Sequence, residues 1–120
     1  MRGSAIVATM LLLCIMLPCC EISYATNYTV GDDDGWNFKV HDWPTGKKLF
    51  HSHDTLVFKY NNGQHNVAVV DENGYTTCTI SDQVFSSGND EIKLQHGQNY
   101  FICGFPGHCA AGMKMAVTAT

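Results

Sequence analysis

From Asn27 onward, short apolar or alternating runs are separated by Gly, Asn and Asp clusters. Asn27-Tyr28-Thr29-Val30 reads as a strand that ends at Gly31, and Asp32-Asp33-Asp34-Gly35 reads as a loop. Trp36-Asn37-Phe38 alternates, and Leu56-Val57-Phe58-Lys59-Tyr60 does so in part. Asn61-Asn62-Gly63 is a strong turn signal. Val67-Ala68-Val69-Val70 is wholly apolar, the pattern of a strand buried on both faces. Asn73-Gly74 predicts another turn, and Asp82 to Ser87 a helical turn or loop. Glu91–Leu94, Asn99–Ile102 and Lys114–Thr118 predict the last strands. About seven short strands with turn residues between them, and no helical period, predict one all-β sandwich over residues 26–120.

The N-terminal segment has a different pattern. Arg2 precedes an apolar run from Ala5 to Leu17, broken only by Thr9 and ended by Pro18. Ser23 and Ala25 put small residues at the −3 and −1 positions of a cleavage site. Residues 1–25 are therefore expected to be a secretory signal peptide. A membrane-spanning helix needs about 20 apolar residues, more than this run offers. No second apolar stretch follows, so neither a membrane anchor nor a glycolipid tail is expected.

Composition narrows the choice of function. With 120 residues the chain is too short for a multidomain enzyme, and a hydrophobic fraction of 45% excludes a disordered tail. Eleven acidic residues against seven Lys and Arg give a net charge of −4, which disfavours nucleic acid as a partner. Of the six Cys, Cys14, Cys19 and Cys20 lie in the expected leader, leaving Cys78, Cys103 and Cys109. An odd number in an oxidising compartment implies one disulfide and one thiol kept for another reason. Three pairings are open. Asn27-Tyr28-Thr29 is an N-glycosylation acceptor sequence. The Asp32–Asp34 run reads as a solvated turn rather than a calcium site, and Lys47-Lys48 as a solvated turn.

The chemistry concentrates between Cys103 and Met113. Cys103, His108 and Met113 are spaced Cys-x4-His-x4-Met, with Gly104, Pro106, Gly107 and Gly112 allowing sharp turns between them. Singly, each of these residue types is usually structural. Together, a thiolate, an imidazole and a thioether suit copper, which cycles between a soft and a harder ion. His65, between a turn and a buried strand, is placed to supply a second nitrogen. Two His, one Cys and a weak axial Met form the blue-copper electron-transfer set.

The chain here resembles the phytocyanins, the plant branch of the cupredoxins, and most of all their plantacyanin (basic blue) branch. Tyr28-Thr29-Val30-Gly31, Gly35-Trp36, Trp43-Pro44, Gly46-Lys47, Asp54-Thr55-Leu56-Val57-Phe58, His65-Asn66-Val67 and Tyr100 through Cys109 carry the resemblance, with Gly112-Met113-Lys114 completing it. The resemblance implies a two-sheet Greek-key sandwich with short helical or irregular segments. It implies one type 1 copper held by His65, Cys103 and His108, with Met113 axial, and a Cys78–Cys109 disulfide. Stellacyanins carry an axial Gln instead. The implied protein is a monomeric electron carrier, not an enzyme, secreted to the apoplast or cell wall. Its redox partner would be a protein or a small molecule, reached through imidazole edges rimmed by Phe105, Pro106 and Gly107. One departure is charge, since the basic blue proteins are cationic. Two rival functions are an oxidase, for which His51-Ser52-His53 is the one His-x-His pair, and a matrix or signalling module with incidental copper. Two exposed His on one side of a strand is the simpler reading of that pair.

Overall fold

Seven strands form among the described residues: β1 (Asn27–Thr29), β2 (Thr55–Lys59), β3 (Val67–Val70), β4 (Gln83–Phe85), β5 (Asn89–Lys93), β6 (Gly97–Ile102) and β7 (Lys114–Ala119). The structure is a computed structural model that describes residues 24–46, 49–81 and 83–120. The expected leader up to residue 23, Lys47-Lys48 and Asp82 lie outside the described residues.

The strands make two sheets, ordered β1-β2-β5 and β4-β3-β6-β7. β1 runs parallel to β2, and the other pairings are antiparallel. This is the expected all-β two-sheet sandwich. Register explains the core. Val69 pairs with Phe101 and Phe101 with Met115, so one row of the larger sheet faces inward. Leu56 pairs with Ile92 on the smaller sheet, facing that row. Phe58 meets Phe101 across the gap at 5.1 Å between ring centroids. In β7 the alternation is complete: Met115, Val117 and Ala119 are buried while Ala116 and Thr118 are exposed.

The opposite face of β3 and β6 is also covered. Ala68, Val70 and Ile102 are buried there with Cys109, against Tyr75, Cys78 and Tyr100. The continuous apolar run of β3 follows from this, since Val67 faces one cluster and Ala68 the other.

Three segments differ from the sequence reading. The turn expected at Asn73-Gly74 lies inside a short helix, α1 (Glu72–Thr77). Asp71 caps it, accepting a hydrogen bond from Gly74 N at 2.8 Å. The segment read as a helical turn or loop contains β4, whose Phe85 pairs with Val67 and packs on the core. Pairing with a preformed neighbour overrides weak local preference there. Trp36-Asn37-Phe38 forms no strand, and burial falls along it from buried Trp36 through half-buried Asn37 to exposed Phe38. Asn37 instead binds its own neighbourhood, donating to Gly35 O and accepting from Lys39 N at 2.7 Å.

Candidate metal centre

The chain from Cys103 to Met113 links β6 to β7 at one end of the sandwich. Its shape follows from a few residues. Phe105-Pro106-Gly107-His108 is a type II turn: Pro106 takes the second place, Gly107 has φ +81°, and His108 N donates to Phe105 O at 3.1 Å. Gly112, at φ +110°, reverses the chain again just before Met113. Cys103 N donates to Met113 O, and Met113 N donates to His108 O, both at 3.0 Å. The loop is therefore closed on itself, with its two ends side by side.

His65 comes from the opposite direction. The Asn61–Gln64 turn holds its amide, which donates to Asn61 O at 3.0 Å. The next residue fastens the two segments together: Asn66 Oδ1 accepts from Gly104 N at 2.5 Å. Asn66 O accepts from the buried Trp36 Nε1 at 2.9 Å.

Three donor atoms meet as a result. The Nδ1 atoms of His65 and His108 are 3.2 Å apart. Cys103 Sγ lies 3.9 Å from the first and 3.5 Å from the second. Among the described residues no other group of three or more His, Cys, Asp or Glu side chains comes together this way. Cys103 is buried and not disulfide-bonded, whereas both imidazoles are only partly covered. Burial, then repulsion from His108, lowers the His65 pKa below the usual imidazole value, favouring the neutral form that binds metals.

The triangle passes a simple fit test. A point in its plane equidistant from the three atoms is about 2.1 Å from each, the length of first-row metal bonds to nitrogen and sulfur. A thiolate with two imidazoles suits copper.

Met113 is fully buried in the same core cluster as Cys103, and its backbone closes the loop through the two hydrogen bonds above. Cys78 and Cys109 form a disulfide with a Cα separation of 5.7 Å. Cys78 is the C-cap of α1, with a left-handed backbone, so α1 aims one sulfur at the loop. Asn27 is exposed at the start of β1. His51 and His53 are exposed but occupy a turn, not a strand as expected, and join no cluster of ligands. Sequence reasoning missed Phe38. Its ring lies edge-on to both imidazoles, at 5.7 Å from His65 and 5.0 Å from His108, although it is 40% exposed. On the other side Phe105 stacks on His108 at 5.7 Å. An exposed aromatic after an Asp-rich turn gives no hint of that role.

A Greek-key sandwich with two imidazoles and a thiol converging at one end has the architecture of the cupredoxins. Residues 33–113 match the family model described as plastocyanin-like domain. A chemocyanin of Lilium longiflorum is 53% identical over 102 residues, covering 83% of this chain and 80% of that protein. A basic blue protein of Cucumis sativus is 51% identical over 94 residues, covering 77% and 97%. The solved structure titled cucumber basic protein, a blue copper protein, superposes with a TM-score of 0.75 at 49% identity, covering 79% of this chain and all of that one. Spinach plantacyanin gives 0.70 at 47%, with the same coverage. The chain belongs to the phytocyanins, the plastocyanin-like blue copper proteins of plants.

Proposed function

We propose that the protein is a secreted one-electron carrier with a single type 1 copper, held by Nδ1 of His65 and His108, Sγ of Cys103 and, axially, the thioether of Met113. The observation that carries this is the triangle of donor atoms. Copper bound there would take up and release single electrons as it cycles between its cuprous and cupric states.

The protein's part is to keep the donors in one arrangement through that cycle. Cys103 is fixed between β6 and the Met113 carbonyl, and His108 is fixed by the type II turn. The disulfide at Cys109 tethers the same loop to α1. Phe38 and Phe105 flank the imidazoles and limit water, while partial exposure of both rings leaves an edge for electron exchange. Four side chains filling the coordination leave no open position for a substrate, which favours a carrier over an enzyme. Residues 1–25 act as the signal peptide, and residues 26–120 as the secreted domain. Among the described residues no helix is long and apolar enough to cross a membrane.

The copper-loaded, oxidised protein should show the intense blue absorption of a cupric thiolate, and Cys103→Ser should abolish it. A colourless parent, or a Cys103→Ser variant that stays blue, would overturn the reading.

A further inference from the structure

Asp54 is the most deeply buried charged side chain among the described residues, at 1% exposure. It lies at the far end of β7 from the metal centre, where Thr120 N donates to Phe50 O and Ser52 N to Thr120 O. Each carboxylate oxygen takes one backbone N–H: Oδ1 from Thr26 at 2.9 Å, Oδ2 from His51 at 2.8 Å. Among the described residues the nearby cationic candidate is His51, whose Nδ1 is 3.8 Å from Oδ2 and whose ring is largely in solvent. Two amide dipoles are a thin answer to a buried negative charge, which ordinarily requires a full opposite charge.

Thr26 N is the atom that signal-peptide removal would change. Ala25 and Tyr24 are exposed and belong to no regular element, with Tyr24 at 82% exposure. Thr26, in contrast, is held on both sides: its N–H reaches Asp54, and its carbonyl accepts from Thr55 N at 2.9 Å. Among the described residues Thr26 is thus the first held by such bonds, and it follows the expected cleavage point.

We propose that hydrolysis of the Ala25–Thr26 bond creates an α-ammonium that ion-pairs with Asp54, so that leader removal completes the fold. The inference rests on the leader reading given above. Water adds across the peptide bond in a peptidase, leaving a carboxylate on Ala25 and an ammonium on Thr26. No movement is needed, because the nitrogen already lies 2.9 Å from Oδ1. A neutral amide donor becomes a charged one, and charge-assisted hydrogen bonds are roughly twice as strong as neutral ones.

The test has two stages. Mass spectrometry of the chain secreted with its own leader should give an N-terminus at Thr26. Four copper-loaded proteins are then compared in denaturant at pH 7: chains starting at Thr26 or at Tyr24, each with Asp54 or with Asp54→Asn. The Thr26 start should raise the folding equilibrium constant by about tenfold with Asp54 present, in line with hydrogen bonds to charged groups. It should leave that constant nearly unchanged with Asp54→Asn. If Asp54→Asn fails to fold, the two Asp54 chains decide alone, and equal stability overturns the ion pair. A mature chain beginning elsewhere overturns the proposal through the leader reading. A Thr26 terminus without coupling to Asp54 overturns the ion pair and leaves the leader reading intact.

Discussion

His65 and His108 face each other through their Nδ1 atoms at 3.2 Å across a sequence separation of 43 residues. Neither ring is buried enough for packing alone to fix it. The fixing is done by backbone and neighbours: the Asn61 carbonyl for one, the Pro106-Gly107 turn for the other, and Asn66 bonding the two segments together. The site is therefore a property of two loops braced on a rigid sandwich, which is the usual division of labour between loops and scaffold.

Loss of the brace should be measurable. The Cys78–Cys109 bridge spans 31 residues of sequence. On the chain-entropy model it contributes about 3.5–4 kcal/mol. The double variant Cys78→Ser, Cys109→Ser should lose that much in chemical denaturation of the metal-free protein. A loss under about 1 kcal/mol would mean that the unfolded chain is already restricted.

Much of this was legible in the sequence, for physical reasons that differ between segments. β7 could be read because one face is buried and the other wet, so its alternation is intact. β3 could be read because it is buried on both sides. The donor residues could be read because metal chemistry restricts residue types and the loop restricts spacing. α1 and β4 could not. α1 is six residues long and depends on the Asp71 cap and on packing over β3, neither of which leaves a helical period. β4 depends on pairing with β3. Phe38 acts on the imidazoles only through tertiary approach, which no local pattern records.

Gly74 tests how closely α1 sits on the sheet. Gly to Ala inside a helix ordinarily stabilises by about 1 kcal/mol. Here a Cβ would lie 2.7 Å from both Thr79 O and Val70 Cβ. The backbone oxygen and the strand side chain leave little room to yield. Gly74→Ala should therefore destabilise, by about 1–3 kcal/mol as overpacking does, and thermal unfolding reads the sign. A rise in melting temperature would mean that α1 shifts freely.

Tyr60 should give the protein an alkaline limb. Its hydroxyl hydrogen-bonds Asp90 and lies near Phe85 O. Burial, then that bond to Asp90, raises the phenol from 10.0 to about 12. The raised pKa favours the protonated form in the folded state. Its contribution is full below pH 10 and fades as pH rises toward 12, because the unfolded chain loses its proton first. Tyr60→Phe should flatten this part of the stability profile relative to the parent. Parallel profiles between pH 9 and 12 would exclude Tyr60 as the cause.

The axial position separates Met113 from its neighbour Met115. Both are buried in the core, at 0% and 1% exposure, so burial does not choose between them. Met113 lies in the loop itself, where its O accepts from Cys103 N and its N donates to His108 O, and this supports the axial role proposed for it. A thioether is soft and binds cupric ion weakly, leaving the cuprous state relatively favoured. An amide oxygen is harder and favours cupric copper. Met113→Gln should therefore lower the reduction potential while the blue colour stays, and Met113→Leu, which removes the donor, should raise it. Met115→Leu, a swap of similar volume, should cost less than about 1.5 kcal/mol and leave the potential in place. Voltammetry on the three variants decides the matter. Potentials unchanged in both Met113 variants, or shifted only by Met115→Leu, would remove Met113 from the copper.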